Sequence, residues 1–135
     1  MDSSDRTLFL IGTGPGNGRA ISALFASKRY NRVALFARRA EQLKIEADAL
    51  TKALGANAIT VKTWAVDVTD ADSLLKVLGE ADEELGMPEC VYYNAARVLP
   101  SALLTHPVED LEYDLKVELF PRTKISFHAR KATND

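Results

Sequence analysis

The sequence has a single cysteine, Cys90, and its N-terminal apolar run is much shorter than a membrane span. One cysteine cannot form an internal disulfide, and one cysteine with two histidines gives no cluster of zinc ligands. The apolar run is only about six residues long and follows an acidic start, which is typical neither of a signal peptide nor of a membrane helix. We therefore expect a cytoplasmic protein with no metal site and no membrane contact.

An excess of positive charge is also absent. The chain has 17 Lys and Arg residues against 19 Asp and Glu residues, which gives a formal net charge of −2. Binding to the phosphate backbone of a nucleic acid requires a basic excess, so we expect a small-molecule ligand and no nucleic acid. The 135 residues are enough to bury a hydrophobic core in one domain.

What the sequence does contain is a regular alternation of apolar runs and amphipathic segments. Short apolar runs predict strands over residues 7–12, 32–37, 59–66 and 89–95. Apolar residues at helical spacing predict helices over residues 19–30, 40–55, 74–85 and 111–119. This βαβαβαβα order predicts an α/β fold with a parallel sheet and helices on both of its faces.

Several details of these elements are also predicted. The first helix has Ala20, Ile21, Leu24 and Phe25 at the spacing of an apolar face. Asp70 or Asp72 could cap the third helix. Cys90 begins the apolar part of the fourth strand and is expected as a small hydrophobic core residue.

The composition changes near the C-terminus. Residues 121–135 carry a net charge of +3, whereas residues 1–120 carry −5. The last segment has no helical pattern and contains neither Leu nor Val. We therefore predict one domain over residues 1–120, followed by a basic, disordered tail over residues 121–135.

Glycines are concentrated between the first predicted strand and the first predicted helix. The loop contains Gly12, Gly14, Gly16 and Gly18, with Asn17 between the last two. Such a loop lets a phosphate approach the free backbone N–H groups at the positive end of the helix dipole. The spacing is GxxxGxG and not GxGxxG, so a turn that needs flexible residues is the alternative. The strand-loop-helix context favours phosphate binding.

Arg38 and Arg39 follow the second predicted strand, about twenty residues after the loop. An acidic residue at this point would bind the ribose hydroxyl of NAD, whereas an arginine suits the 2′-phosphate of NADP. The alternative is that both arginines are simply solvated. We favour NADP as the cofactor, with NAD as the alternative, and Arg38 as the nearer contact.

These motifs, in this order, resemble those of the N-terminal half of the short-chain dehydrogenase/reductase family, which consists of Rossmann-fold NAD(P)-dependent oxidoreductases. The matching positions are residues 11–18 for the family's TGxxxGxG, Asp67 with Val68 for its adenine-contacting Asp, and Tyr93, Asn94, Ala95 and Ala96 for its NNAG. The resemblance extends from residue 7 to about residue 119. It implies a Rossmann-like sheet that is truncated after the fourth helix.

The resemblance also implies roles for two polar residues. Asp67 would accept a hydrogen bond from the adenine amino group, and helix capping shared with Thr69 and Asp70 is its alternative. Asn94 would bridge backbone groups near the cofactor, and a purely structural amide is its alternative.

The sequence departs from the family at several motif positions. Ile11 replaces the motif threonine, Tyr93 the first asparagine and Ala96 the glycine, while Glu118 stands where the family has a catalytic asparagine. The family's catalytic serine and Tyr-x-x-x-Lys pair come later than the positions that this chain covers. We therefore expect no catalytic residue in it.

Three functions remain open at this point. The chain could be the NADP-binding half of an oxidoreductase that interconverts carbonyls and alcohols. It could instead be a non-catalytic module that binds NADP(H) or forms a homo- or heterodimer through the fourth helix, with Leu111, Leu115 and Leu119 as its apolar face. The family commonly builds its dimer interface from that helix. The third function is none, if the chain is an inactive truncated product.

Overall fold

The computed structural model describes residues 4–96 and 104–118, together with Pro121 and Ile125. The elements are β1 (Thr7–Ile11), α1 (Asn17–Lys28), β2 (Arg32–Ala37), α2 (Ala40–Leu54), β3 (Thr60–Ala65), α3 (Ala71–Leu85), β4 (Cys90–Tyr93) and α4 (Val108–Glu118). The predicted βαβαβαβα order is confirmed. Apart from Pro121 and Ile125, the predicted basic tail lies outside the described residues.

The four strands form one parallel sheet in the order β3-β2-β1-β4. Leu8 of β1 lies opposite Val33 of β2 on one side and opposite Cys90 of β4 on the other. The chain moves outward from β1 to β3 and then crosses back to the free side of β1. In sheets of this kind, the carboxyl ends of the two strands at the reversal flank a crevice that binds ligands.

The side chains of β1 separate two hydrophobic layers, because they alternate between the faces of the sheet. Leu8 and Leu10 pack in the layer that includes residues of α1 and α2, whereas Phe9 and Ile11 pack in the layer that includes residues of α3 and α4. All of β1 is buried, as is typical of a parallel strand that is covered on both faces. The predicted Rossmann-like α/β architecture is therefore confirmed.

The third helix agrees most closely with its sequence pattern. Leu74, Leu78, Ala81 and Leu85, which have helical spacing, are all buried. Of the two predicted caps, Asp70 is the one observed, since its side chain accepts a hydrogen bond from the Ser73 N–H at 3.1 Å. Hydrogen bonds from Ser73 hold the pKa of Asp70 below its usual value.

The apolar face predicted for α1 is wrong at Ala20 and Leu24. Ala20 is exposed and Leu24 is 55% exposed, whereas the buried residues of the helix are Gly18 and Ser22. Ile21 and Phe25 do pack against the layer that contains Leu8 and Leu10, and Gly18 is buried because the helix begins close to the loop before it. A Cβ on Gly18 would come within 3.0 Å of the Thr13 Cα.

The fourth strand is less buried than its apolar sequence predicts. All of its residues are half-buried, and Cys90 is therefore not the fully buried core residue that we expected. Cys90 packs against the edge of the layer that contains Leu8 and Leu10. The physical reason is that β4, like β3, pairs on one side only within the described sheet.

One charged residue, Glu46 of α2, is almost completely buried at 2% exposure. Arg19 of α1 donates to both of its carboxylate oxygens at 2.7 and 2.8 Å, and Gln42 donates to Oε1 at 2.7 Å. The hydrogen bond from Arg19 is the main cause that lowers the pKa of Glu46, and it outweighs the opposite effect of burial. This network joins α1 to α2.

We expect Glu46→Gln to lower the melting temperature by a few degrees at about pH 7, because an amide cannot form the charge-assisted pair with Arg19. Because the pKa of Glu46 is lower in the folded protein than its ordinary value of 4.5, the ionised carboxylate stabilises the fold above about pH 4.5. This contribution is lost as the pH falls through the lowered pKa. The difference between wild type and variant should therefore shrink from about pH 7 to about pH 4 in thermal melts.

The matched control is Glu80→Gln on α3, whose carboxylate is 44% exposed. We expect it to change the melting temperature little at either pH. If the difference between wild type and Glu46→Gln stays constant as the pH falls, the charge of Glu46 does not stabilise the fold.

Candidate functional site

A cleft of about 350 Å³ opens at the carboxyl ends of the strands. Residues that follow all four strands line it, together with one residue of α2 and two of α4. The lining residues are 12–15, 37–39, 66–68 and 94–96, with Gln42, Tyr113 and Val117. Every predicted site residue lies in this lining except Gly16, Asn17 and Gly18, which lie at the start of α1.

Gly12 brings the ends of β1 and β4 together. Its φ is +89°, and a Cβ at this position would lie 2.4 Å from the Ala95 nitrogen, so that only glycine fits. Asn94 donates its backbone N–H to the Ile11 carbonyl at 2.7 Å and its side-chain Nδ2 to the Gly12 carbonyl at 3.3 Å. The amide of Asn94 therefore has a structural role in the floor of the cleft.

The glycine loop places the first turn of α1 beside the cleft. Gly16 is the N-cap, and no side chain caps the helix. The N–H groups of Asn17 and Gly18 have no acceptor among the described residues, as is usual in a first helical turn. A Cβ on Gly14 or Gly16 would meet no atom of the described chain within 4 Å. Open space therefore lies at the positive end of the helix.

Arg38 and Arg39 lie on the rim of the cleft, at the end of β2, and both are exposed. Neither forms an ion pair with a carboxylate of residues 4–96 or 104–118. Arg38 donates a hydrogen bond from Nη1 to the Tyr113 hydroxyl at 3.2 Å. This rim therefore carries two positive charges that the described carboxylates do not pair.

Asp67 follows β3 and is exposed at the cleft. Its Oδ1 accepts the Thr69 N–H at 2.9 Å and the Thr69 hydroxyl at 2.7 Å, which closes a tight turn. The capping alternative does not describe Asp67, because Asp70 caps α3. Its Oδ2 accepts no hydrogen bond from the part of the chain that the structure describes. Val68, the next residue, is buried.

Sequence reasoning missed several residues of the cleft that are not simply chain neighbours of the predicted ones. Gln42 lies in the first turn of α2, while Tyr113 and Val117 lie one turn apart on α4. The spacing on α4 could have indicated the last two, because Tyr113 and Val117 come two positions after Leu111 and Leu115 and therefore lie on the opposite side of the helix.

Three other features concern metal binding, the residue at the family's asparagine position and membrane insertion. Among the described residues, no group of three or more His, Cys, Asp or Glu side chains could hold a metal ion. Glu118, which stands at the position of the family's asparagine, does not line the cleft. None of the helices in the described ranges has the length and the apolarity that a membrane crossing needs.

The residues of the cleft fit a phosphate-bearing nucleotide. The helix start and the two arginines, which pair with no carboxylate of the described residues, are groups that bind anions, and the volume is in the usual range for small-molecule sites. The Thr13 hydroxyl adds a further group, because it is buried and has no hydrogen-bond partner in the described part of the chain. A buried hydroxyl without a partner is uncommon, and a ligand could supply one.

Comparison with known proteins supports the same conclusion. Residues 6–126 match the family model described as short chain dehydrogenase. Over 112 residues the chain is 35% identical to a short chain dehydrogenase of Pseudocercospora fijiensis, and the match covers 83% of this chain and 34% of that protein. The chain thus spans about a third of the length of this relative.

Solved structures share the fold at low sequence identity. A short-chain type dehydrogenase/reductase from Mycobacterium marinum has a TM-score of 0.83 and 22% identity, with 96% of this chain and 51% of that chain covered. An ElxO variant with NADPH bound has a TM-score of 0.80 and 17% identity, with 95% and 50% covered. Because the family model matches most of the sequence, this chain belongs to the short-chain dehydrogenase family.

Proposed function

We propose that residues 1–120 form the nucleotide-binding domain of an oxidoreductase and that NADP(H) is preferred over NAD(H). The observation that carries the proposal is the position of Arg38 and Arg39 on the rim of the cleft, with no carboxylate partner among the described residues. A guanidinium binds a phosphate through strong charge-assisted hydrogen bonds, whereas NAD has only a hydroxyl at this point.

The glycine loop would hold the pyrophosphate. In this proposal the N–H groups of Gly14, Gly16, Asn17 and Gly18 donate to phosphate oxygens at the start of α1. The support is the helix start without a side-chain cap and the open space over Gly14 and Gly16. These residues would bind NADPH and NADH equally, since both contain the pyrophosphate.

The carboxyl ends of β3 and β4 would hold the adenosine part. Oδ2 of Asp67 would accept a hydrogen bond from the adenine amino group, beside the apolar surface of Val68. Asn94, Ala95 and Ala96 form the floor, and the backbone contact between Ala95 and Gly12 keeps that floor in place.

A bound nicotinamide dinucleotide supplies a hydride donor or acceptor. The residues of this chain bind and orient it, and we assign no catalytic residue among them. Interconversion of carbonyls and alcohols by a complete protein is proposed from family membership alone. We also propose a cytoplasmic location, for which the support is the single cysteine.

A second candidate function is formation of a homo- or heterodimer through α4. Leu111 is 55% exposed and Leu115 is 43% exposed, which favours a partner on this face. Leu119, the third residue predicted for this face, lies outside the described residues. Sedimentation of the wild type and of Leu111→Ser tests this candidate. A dimer that the variant fails to form supports it, and a monomeric wild type that also binds no complete homologue contradicts it.

The main test is a titration of the purified chain with NADPH and NADH, followed by thermal shift and by the fluorescence of the bound cofactor. Saturable stabilisation that is larger with NADPH supports a folded domain with a working site. Absence of binding, together with absence of a cooperative melting transition, would contradict the proposed function.

We expect Arg38→Ala to weaken NADPH binding by about 10- to 150-fold, because the charge-assisted hydrogen bonds to the 2′-phosphate are lost. NADH binding should change little, and dissociation constants from the same titration measure both effects. The control is Lys52→Ala in the last turn of α2, which removes an equal charge far along the helix. Equal losses for the two cofactors would contradict the assignment of Arg38.

Gly14→Val is expected to weaken NADPH and NADH binding alike, by about tenfold or more, because the new side chain occupies space that the cofactor needs. The fold should be preserved, since the residue before Pro15 favours an extended backbone and a Cβ there meets no atom of the described chain within 4 Å. Melting curves and titrations measure the two effects separately.

The control is Gly79→Ala in α3, where an added Cβ is also unobstructed. This variant should melt at a higher temperature and bind both cofactors normally, because alanine favours the helix. Normal cofactor binding by folded Gly14→Val would place the pyrophosphate elsewhere.

A further inference from the structure

Arg38 contacts a residue that is distant in sequence. Its Nη1 donates to the Tyr113 hydroxyl at 3.2 Å, across 75 positions of the chain. The arginine side chain is exposed and has no carboxylate partner in residues 4–96 and 104–118. An exposed arginine samples many rotamers, and a ligand that fixes it loses binding free energy to that ordering. A contact that fixes Arg38 beforehand reduces this loss.

The position of Tyr113 is fixed by the core. Its ring packs against the layer that contains Phe9 and Ile11. One helical turn later, Val117 is buried in the same layer, and the Tyr93 hydroxyl donates a hydrogen bond to the Val117 carbonyl. Tyr113 and Val117 both line the cleft. The packing of α4 against the sheet therefore holds the Tyr113 hydroxyl at the rim.

A tyrosine hydroxyl differs from a carboxylate as a partner for an arginine, because it is neutral. Arg19, for example, has its charge compensated by the buried carboxylate of Glu46. The bond to Tyr113 orients Arg38 without compensating its charge, no carboxylate of the described residues pairs with it, and the planar guanidinium keeps further N–H donors for a second acceptor. This arrangement suits an anion that arrives later.

We propose that Tyr113 is a positioning residue that increases the preference for NADPH over NADH, because its hydroxyl holds the guanidinium of Arg38 ready for the 2′-phosphate. The inference rests on the proposed function, in which Arg38 binds that phosphate. Tyr113 itself need not touch the cofactor. Its effect should therefore disappear when Arg38 is removed.

The experiment is a double-mutant cycle on the full chain, with dissociation constants for NADPH and NADH from the same fluorescence titration. Tyr113→Phe keeps the ring and removes only the hydroxyl. We expect it to weaken NADPH binding about 3- to 10-fold and to leave NADH binding unchanged. In the Arg38→Ala background, Tyr113→Phe should have no further effect on NADPH.

The matched control is Tyr92→Phe on β4. Its ring packs edge-on against Phe25, in the opposite layer of the protein and away from the cleft. We expect this variant to bind both cofactors as the wild type does. Thermal melts of all variants measure whether the fold is intact, and the ratio of the two dissociation constants does not depend on the fraction of folded protein.

Three results would overturn the inference. Equal weakening of NADPH and NADH by Tyr113→Phe would show a structural role only. Tighter NADPH binding would show that the hydroxyl competes with the phosphate. An effect that persists in the Arg38→Ala background would show that Tyr113 acts independently of Arg38. By contrast, a wild type without any preference for NADPH contradicts the proposed function itself.

Discussion

Two strands that are distant in sequence, β1 and β4, end at the same point because Gly12 has no side chain. Its left-handed backbone turns the chain away from β1, and the Ala95 backbone occupies the space that a Cβ would need. The side chain of Asn94 also stabilises this contact, because its Nδ2 donates a hydrogen bond to the Gly12 carbonyl. Since the direction of strand order reverses between these two strands, this contact forms the floor of the crevice. The positions of the glycine loop and of residues 94–96 both depend on it.

A second interaction connects the two helices on one side of the cleft. Arg19 follows directly after the glycine loop, and Glu46 lies in the helix that begins after Arg38 and Arg39. Gln42 lines the cleft and also donates to Glu46. The Arg19 side chain is 43% exposed, so solvent screening keeps the net stability that this pair adds modest. Its main consequence here is geometric, since it fixes the loop side of the cleft relative to the arginine side.

Most of the fold could be predicted from the sequence because the buried residues of its main elements follow the apolar pattern of a helix or of a buried strand. The apolar spacing of α3 and the continuous apolar run of β1 agree with their observed burial. The burial of Gly18 in α1 could not be predicted in this way, because it results from the close approach of the helix to Thr13 in the preceding loop. The burial of β4 was overestimated because the sequence of a strand does not show whether neighbouring strands pair with both of its edges.

Some residues of the candidate site could be predicted from the sequence, and others could not. The glycines, arginines and Asp67 belong to short motifs that follow strands, and parallel strands necessarily bring such ends to one edge of the sheet. Tyr113 is in no motif, and it reaches Arg38 only because α4 packs against the layer of the sheet that contains Phe9 and Ile11. Sequence therefore indicated where the positive charge lies, but it could not indicate that the residue orienting this charge is neutral. That difference decides whether Arg38 is available to an anion, because a carboxylate in place of the phenol would occupy the guanidinium and compensate its charge.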